Sequence, residues 1–359
     1  MPLAMFIGFL LYKLKKSLFL CTCLGILGII ILIFLGSKFP VTLRVSNPKN
    51  IWMGILFIYA FLASIIPVNI LLQPRDYLSS FLLFVALILG SLGIFIVHPV
   101  IKAPAFISFD SSQGLVFPML CVIVACGAIS GFHSLVASGT TSKQLPYESA
   151  AKKVGYGGML LEGVLASIAL VTVGIAFSKD NPINIFSQGF GQITSVFLGS
   201  YGPFLAAVIL NAFILTTLDT ATRINRYITE EIIHIKNRFI STILVLSFSG
   251  YLAFSGGWRT LWKMFGISNQ LVAALALITI TLWLLNKKQK FLFVLIPAIF
   301  MLAVTLTALA ASLIKFLAEK NLGLIIISSL LFILGVFVTI EGFFSIKKLR
   351  KAVNKVSVE

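Results

Sequence analysis

Ten runs of apolar residues, each near the length a helix needs to cross a bilayer, constrain this chain more than any other feature. A hydrocarbon core takes about 20 consecutive apolar residues of helix. Runs that approach or exceed this length lie at about 17–36, 51–72, 77–97, 115–133, 157–177, 193–217, 239–255, 269–285, 291–315 and 322–343. A backbone inside lipid has to satisfy its own polar groups, so each run predicts an α-helix. The expected fold class is therefore all-α, a polytopic transmembrane helix bundle of about ten spans, preceded by a shorter apolar piece at 1–12. Composition agrees. Of 359 residues, 59% are hydrophobic and 11% charged, against about 25% charged in a soluble domain. So few charges cannot cover a water-soluble surface. No soluble domain interrupts the runs, so 1–359 reads as a single transmembrane domain ending in a basic tail at 344–359.

The net charge of +17 would suggest nucleic acid in a soluble protein. Here the basic residues occupy short loops between apolar runs, so topology and anionic lipid headgroups account for them and nucleic acid is excluded as a partner. With ten spans, 19 of the 28 basic residues fall on the side of Lys13, Arg75, Lys143, Arg223, Lys287 and the tail, and 9 on the other. The positive-inside rule puts the richer side, with both termini, in the cytoplasm. The expected location is the cytoplasmic (inner) membrane.

Several chemistries are absent from the pattern. Cys21, Cys23, Cys121 and Cys126 lie in apolar runs without a CxxC pair, and read as small buried hydrophobes. His98, His133 and His234 are far apart and form no HExxH. No Walker A, GxGxxG or GxSxG motif occurs, so no cofactor and no nucleotide-driven pump is expected. The Lys13, Lys15, Lys16 cluster follows the apolar residues 1–12 rather than preceding them, unlike a signal peptide.

Two stretches break the alternation of spans and short loops. Residues 98–118 hold three prolines and read as a long outside loop or re-entrant segment. Residues 178–192, with Asn181-Pro182, Gly189 and Gly191, read similarly.

Polar residues inside apolar runs mark candidate pathways. Residues 125–144 begin as a span and turn rich in Gly, Ser and Thr around His133. Gly127, Gly131 and Gly139 weaken a helix by about 1 kcal/mol each. Ser130, Ser134, Ser138, Thr140 and Thr141 offer hydroxyls, and an unwound backbone at membrane depth offers carbonyls, to a desolvated solute or ion. The expectation is that the segment 127–141 is a helix interrupted near Gly131 to Gly139 and lines the solute path. His133 would titrate there, since imidazole changes charge near neutral pH. Close helix packing by small residues is the plainer account of the same pattern. Glu162 lies about five residues inside the run 157–177, where a carboxylate is protonated, paired, facing water or solvated at the interface. Asn211, Thr216, Thr217 and Asp219 lie on the run that ends in Arg223, Arg226 and Glu230. Helical spacing aligns Thr216, Asp219, Arg223, Arg226 and Glu230 on one stripe, with Asp219–Arg223 as an i,i+4 pair. Arg226 and Glu230 read as a solvated helix end. Residues 73–77 read as a tight turn with an Arg75–Asp76 pair. The segment 257–270 reads as an interfacial aromatic belt, with Asn269 and Gln270 able to line a cavity.

Five strings carry a resemblance: LLQPRDYLSSFLL (71–83), ACGAISGFHSLVASGTTSKQL (125–145), VGYGGMLLEG (154–163), LDTATRINRYITEE (218–231) and FGISNQLVAA (265–274). In content, order and spacing they resemble the carbon starvation protein A family. The resemblance implies uptake of peptides or pyruvate during nutrient starvation, and a distant similarity to inverted-repeat secondary transporters with broken helices. It also implies further helices upstream of Met1, so that the chain resembles the C-terminal part of a longer transporter, with 1–12 the end of a truncated helix.

The resulting expectation is a secondary active transporter of a small solute, coupled to a proton or other cation. An inactive remnant or membrane sensor is the alternative, suggested by the short front. A membrane-embedded enzyme fits less well, because three scattered histidines make no catalytic or metal cluster.

Overall fold

The structure, a computed structural model, describes the chain except residues 43, 112, 113, 125, 126, 128, 179 and 357–359. Within helices and strands it also does not describe the side chains of 111, 259, 260, 263 and 351–356. Among the described residues, nine helices are long and apolar enough to cross a membrane. The protein is an all-helical, multi-pass membrane protein. Large apolar side chains such as Phe19, Phe95 and Leu170 point away from the chain, as a bilayer solvent permits. The chain divides into two compact units, Met1–Ala105 with Gly163–Phe254, and Phe106–Glu162 with Ser255–Glu359.

The first unit begins with α1 (Pro2–Gly8), which runs into a π-helical turn at Phe9–Lys13. The spans α2 (Leu18–Lys38), α3 (Pro48–Ile65) and α4 (Leu72–Val97) follow. Ser17 caps α2 by accepting from the Leu20 N–H, as an N-cap serine does. The unit continues with the second half of α7 (Ala150–Ile175), then α8 (Pro182–Ile193), the single turn α9 (Ser195–Leu198), the 32-residue α10 (Gly202–Ile233) and α11 (Arg238–Ser255). Its main core joins Ala86 and Leu87 of α4, Ile168 and Ile175 of α7, Phe190 of α8 and Ile209 of α10. A second cluster sets Tyr59 and Ala63 against Leu71 and Leu72.

The expected loop at 178–192 is instead largely α8. Asn181 is its N-cap and accepts from the Ile183 N–H at 3.0 Å, and Pro182 follows at the first helical position. Asn-Pro here starts a helix rather than breaking one. Gly189 sits against the backbone of Thr172, where a Cβ would collide with the Thr172 carbonyl. That glycine is a packing requirement rather than a loop signal.

The second unit opens with a two-stranded antiparallel hairpin, Asp110–Ser111 with Gly114–Leu115. The run expected as one span at 115–133 is two short helices, α5 (Val116–Val124) and α6 (Gly131–Gly139). Helix α6 is about 13.5 Å long at 1.5 Å per residue, and α5, which is non-helical at Phe117, is shorter; each is less than half of a hydrocarbon core about 30 Å thick. The first half of α7 and the long helices α12 (Trp258–Asn286), α13 (Leu292–Ala318) and α14 (Leu322–Val356) complete the unit. Val122 of α5 packs with Ile267 of α12, Val304 and Leu309 of α13, and Leu324 of α14. The basic tail expected at 344–359 continues α14 as helix to Val356. Cys21 is buried and Cys121 half-buried, but Cys23 is exposed, because its side of α2 has no protein neighbour. Cys126 lies outside the described residues.

Candidate functional site

In the first unit, an ionic network is buried where α3, α4 and α10 meet. Asp219 of α10 has no exposed surface, and Arg75, Tyr59, Arg223 and Arg226 are each more than nine-tenths buried. The Arg75 guanidinium donates to Asp219 Oδ2 through Nη1. The same nitrogen donates to the Tyr59 hydroxyl at 2.7 Å, and that hydroxyl donates onward to Asp219 Oδ2 at 2.7 Å. Arg75 Nη2 donates to Asp76 Oδ1 at 2.6 Å. One turn along α10, Arg223 Nη2 donates to the carbonyls of Ala63 and Ile66, at 2.6 and 2.7 Å. These are orphan carbonyls at the end of α3, which lack partners within their own helix.

That demand explains a departure from the sequence expectation. Asp219 and Arg223 do not pair along the helix. Each reaches to another element, because α3 ends in an apolar setting that needs donors and Arg75 arrives with a charge that needs a counter-ion. Residues 73–77 are not a tight turn but the first turns of α4, which direct Arg75 inward. Arg226 is buried rather than solvated, and its Nε lies 3.9 Å from Glu230 Oε1. Asp219 Oδ1, Arg75 Nε and Arg223 Nε have no hydrogen-bond partner among the described residues.

In the second unit, the gap between α5 and α6 is held by two neighbouring amides of α12. Asn269 Oδ1 accepts from the Ser130 hydroxyl at 3.1 Å and from the Phe132 N–H at 2.8 Å. Gln270, fully buried, donates through Nε2 to the Cys121 carbonyl at 3.1 Å and to the Val122 carbonyl at 3.4 Å. One amide thus serves the N-terminus of α6 and the next serves the last turn of α5. Gly131 makes the approach possible, since a Cβ there would strike the Asn269 carbonyl and come within 2.6 Å of Val272 Cβ. The interruption therefore precedes Gly131. The break expected near Gly131 to Gly139 falls immediately ahead of that stretch, whose nine residues are α6 itself. Of the segment before it, residues 125, 126 and 128 lie outside the described set.

Also in this unit, His133 on α6 faces Glu162 on α7, with Nε2 3.4 Å from Oε2. Helix α7 starts at Ala150, seven residues before the apolar run begins. Glu162 therefore stands about 18 Å along it, not at its first turn.

The remaining candidates bond within their own helices. Ser134 donates to the Gly131 carbonyl, Ser138 to Leu135, and Thr140 to Val136. Thr141 lies half-buried in the short turn Thr141–Lys143 after α6. Thr216 and Thr217 donate to the Phe213 carbonyl, and the Asn211 amide donates to Ala207. The structure thus groups Ser130 with Asn269, His133 with Glu162, and Asp219 with Arg75 and Tyr59. Sequence reasoning missed Tyr59 and the inward role of Arg75. The available signal was a tyrosine inside an apolar run and an arginine between two spans, both within reach of an intramembrane aspartate. Among the described residues, no three His, Cys, Asp or Glu side chains gather as metal ligands.

Comparison with known proteins adds a second line of observation. The family model described as carbon starvation protein CstA matches residues 1–180 and 175–308. The peptide transporter CstA of Bacillus subtilis (strain 168) is 33% identical over 82% of this chain and 60% of that protein. The peptide transporter CstA of Escherichia coli (strain K12) is 31% identical over 72% of this chain and 48% of the relative. The pyruvate/proton symporter BtsT of Escherichia coli (strain K12) is 28% identical, over 71% and 50%. The chain spans about half the length of the curated relatives it matches. No solved structure matches.

Proposed function

The chain belongs to the carbon starvation protein CstA family, and from that premise we propose that it serves secondary active uptake of a small carboxylate-bearing solute, a peptide or pyruvate, across the cytoplasmic membrane during nutrient starvation. A proton or other cation gradient drives it. Relatives named as peptide transporters and as a pyruvate/proton symporter support the solute class. Peptides and pyruvate share a carboxylate, which gives one site a common feature to read.

The observation that carries the reading is the divided helix α5–α6. Two half-helices replace one span, and their facing ends are served by Asn269 and Gln270. Interrupted helices at membrane depth are how secondary transporters expose backbone groups to a solute. The N-terminus of α6 carries the positive end of the peptide dipoles, which favours an anionic group. Ser130, His133, Ser134, Ser138, Thr140 and Thr141 lie on or beside this half-helix and form the proposed path with Glu162. In the first unit, Asp219 with Arg75 and Tyr59 holds the helix ends in place, and Asn211, Thr216 and Thr217 lie on the same α10.

The test is counterflow in proteoliposomes that contain the chain. Vesicles preloaded with unlabelled pyruvate or dipeptide should take up the labelled solute above the level of protein-free vesicles. Uptake of neither solute above that level would refute the proposal.

A further inference from the structure

We propose that His133 and Glu162 together form the proton-loading site, and that one proton taken up there accompanies one solute carboxylate. The inference rests on the transport reading above and assigns the coupling ion and its carriers.

The depth of the pair comes first. Lys152 and Lys153 mark the polar start of α7, and Glu162 lies nine residues beyond Lys153, about 14 Å along the helix. Counted from the start of the apolar run it lies about 8 Å in, within a hydrocarbon core about 30 Å thick. Acidic and imidazole side chains at such depth pair with one another and mark proton relays. Here they face each other at 3.4 Å.

Access comes second. The His133 side chain is 53% exposed and that of Glu162 is 35% exposed, so the described residues do not close over the pair. The Arg75–Asp219 link is the contrast. It is closed over by protein, so it does not serve as a carrier.

The surroundings come third. The other charged or titratable groups on elements packed against α6 are Lys143 in the turn after it, and Arg259, Lys263 and Lys287 toward the two ends of α12. On and just before α7 they are Tyr147, Glu148, Lys152, Lys153 and Tyr156. Among the described residues, only Glu162 forms an ion pair with His133.

The charge balance gives the coupling. With neutral imidazole and ionised carboxylate, the pair carries −1 and repels a solute carboxylate nearby. One proton from the aqueous phase converts it to imidazolium–carboxylate, or to imidazole with carboxylic acid. Both forms are neutral overall, and the repulsion is gone. Proton and solute therefore favour each other's binding, which is a coupling free energy between sites. On the other side of the membrane the solute leaves and the proton returns to water. For a monocarboxylate such as pyruvate the loaded cycle moves no net charge.

Two measurements test this with the full chain. The first is independent of transport. In 15N-histidine-labelled protein at a fixed pH, Glu162→Gln should shift the imidazole 15N resonances of His133, which lies 3.4 Å from Glu162, with those of His98 and His234 unchanged. Superimposable His133 resonances overturn the pairing. The second uses proteoliposomes with labelled pyruvate. Wild-type accumulation should follow an imposed pH gradient and ignore an imposed membrane potential. In His133→Gln and Glu162→Gln, the ratio of gradient-driven accumulation to counterflow should fall at least tenfold. An unchanged ratio in either variant overturns the proton-carrying role. Absence of wild-type counterflow refutes the transport reading and the proposal that rests on it, whatever the histidine resonances show.

Discussion

Replacing Arg75 by methionine tests the buried network of the first unit most directly. Methionine keeps the unbranched stem and removes the charge. Asp219 then stays in the protein with no exposed surface and keeps only the Tyr59 hydroxyl at 2.7 Å. Breaking a buried ion pair by deleting one partner costs about 3–5 kcal/mol, mostly because the remaining charge has no compensation. The unit holds about 200 residues, a size at which 1 kcal/mol moves the midpoint by about 2–4 °C. Arg75→Met should therefore unfold roughly 6–20 °C below the wild type in the same detergent. Removing the stranded carboxylate as well should reverse most of the loss. The double variant Arg75→Met/Asp219→Leu is expected within about 2 kcal/mol of wild type or above it, because apolar replacement of a buried pair is often neutral or stabilising. The assay is thermal unfolding of the purified variants, followed by near-UV circular dichroism at a fixed scan rate. An Arg75→Met midpoint equal to wild type would refute the reasoning. So would a double variant no more stable than Arg75→Met, since the cost would then not arise from the uncompensated charge.

Gly131→Ala places a methyl against the Asn269 carbonyl and should cost about 1–3 kcal/mol by overpacking, with loss of counterflow. A variant with wild-type melting and uptake would show that α6 has room to spare. Asn269→Leu removes the acceptor of the Phe132 N–H and one partner of the Ser130 hydroxyl. It should destabilise by about 1–3 kcal/mol, read by the same melts, while Asn269→Asp, which keeps the acceptor, should be milder; equal losses in the two would count against the acceptor role. For topology, a single cysteine at position 287 should react with an impermeant maleimide only after lysis, and one at 102 should react in intact cells. The reverse pattern would invert the orientation drawn from the basic-residue asymmetry.

The sequence made the spans legible because lipid imposes one strong requirement, about 20 apolar residues, and nine of the ten runs meet it as long helices. The tenth failed for a reason that hydropathy cannot register. The run at 115–133 is apolar enough to span, but its interruption depends on Asn269 and Gln270, which lie more than 130 residues away and hold both ends of the gap. Likewise α8 hid behind Asn181-Pro182, a pair that serves equally to end one helix and to cap the next. Among the site residues, Asp219 and Glu162 stood out because a carboxylate in an apolar run needs an account. Their partners did not. Arg75 looked like a topology signal and Tyr59 carried no local mark, and only tertiary packing turns either toward Asp219. The local i,i+4 rule suggested Arg223 instead, and it failed because that arginine answers the carbonyls at the end of α3.

The long separation in Arg75–Asp219 has a consequence for how the protein is made. The two residues are 144 positions apart, and a ribosome adds about 5–20 residues per second. Arg75 therefore exists for roughly 7–30 s with Asp76 beside it before Asp219, its buried partner, has been synthesised. The carbonyls of Ala63 and Ile66 wait as long for Arg223. Throughout that interval the start of α4 carries an arginine whose only ionic partner yet made is the half-exposed Asp76, so the buried junction of α3 and α4 cannot close until α10 is present. A chain that stops between these two residues would keep Arg75 and the end of α3 at a polar surface rather than packed.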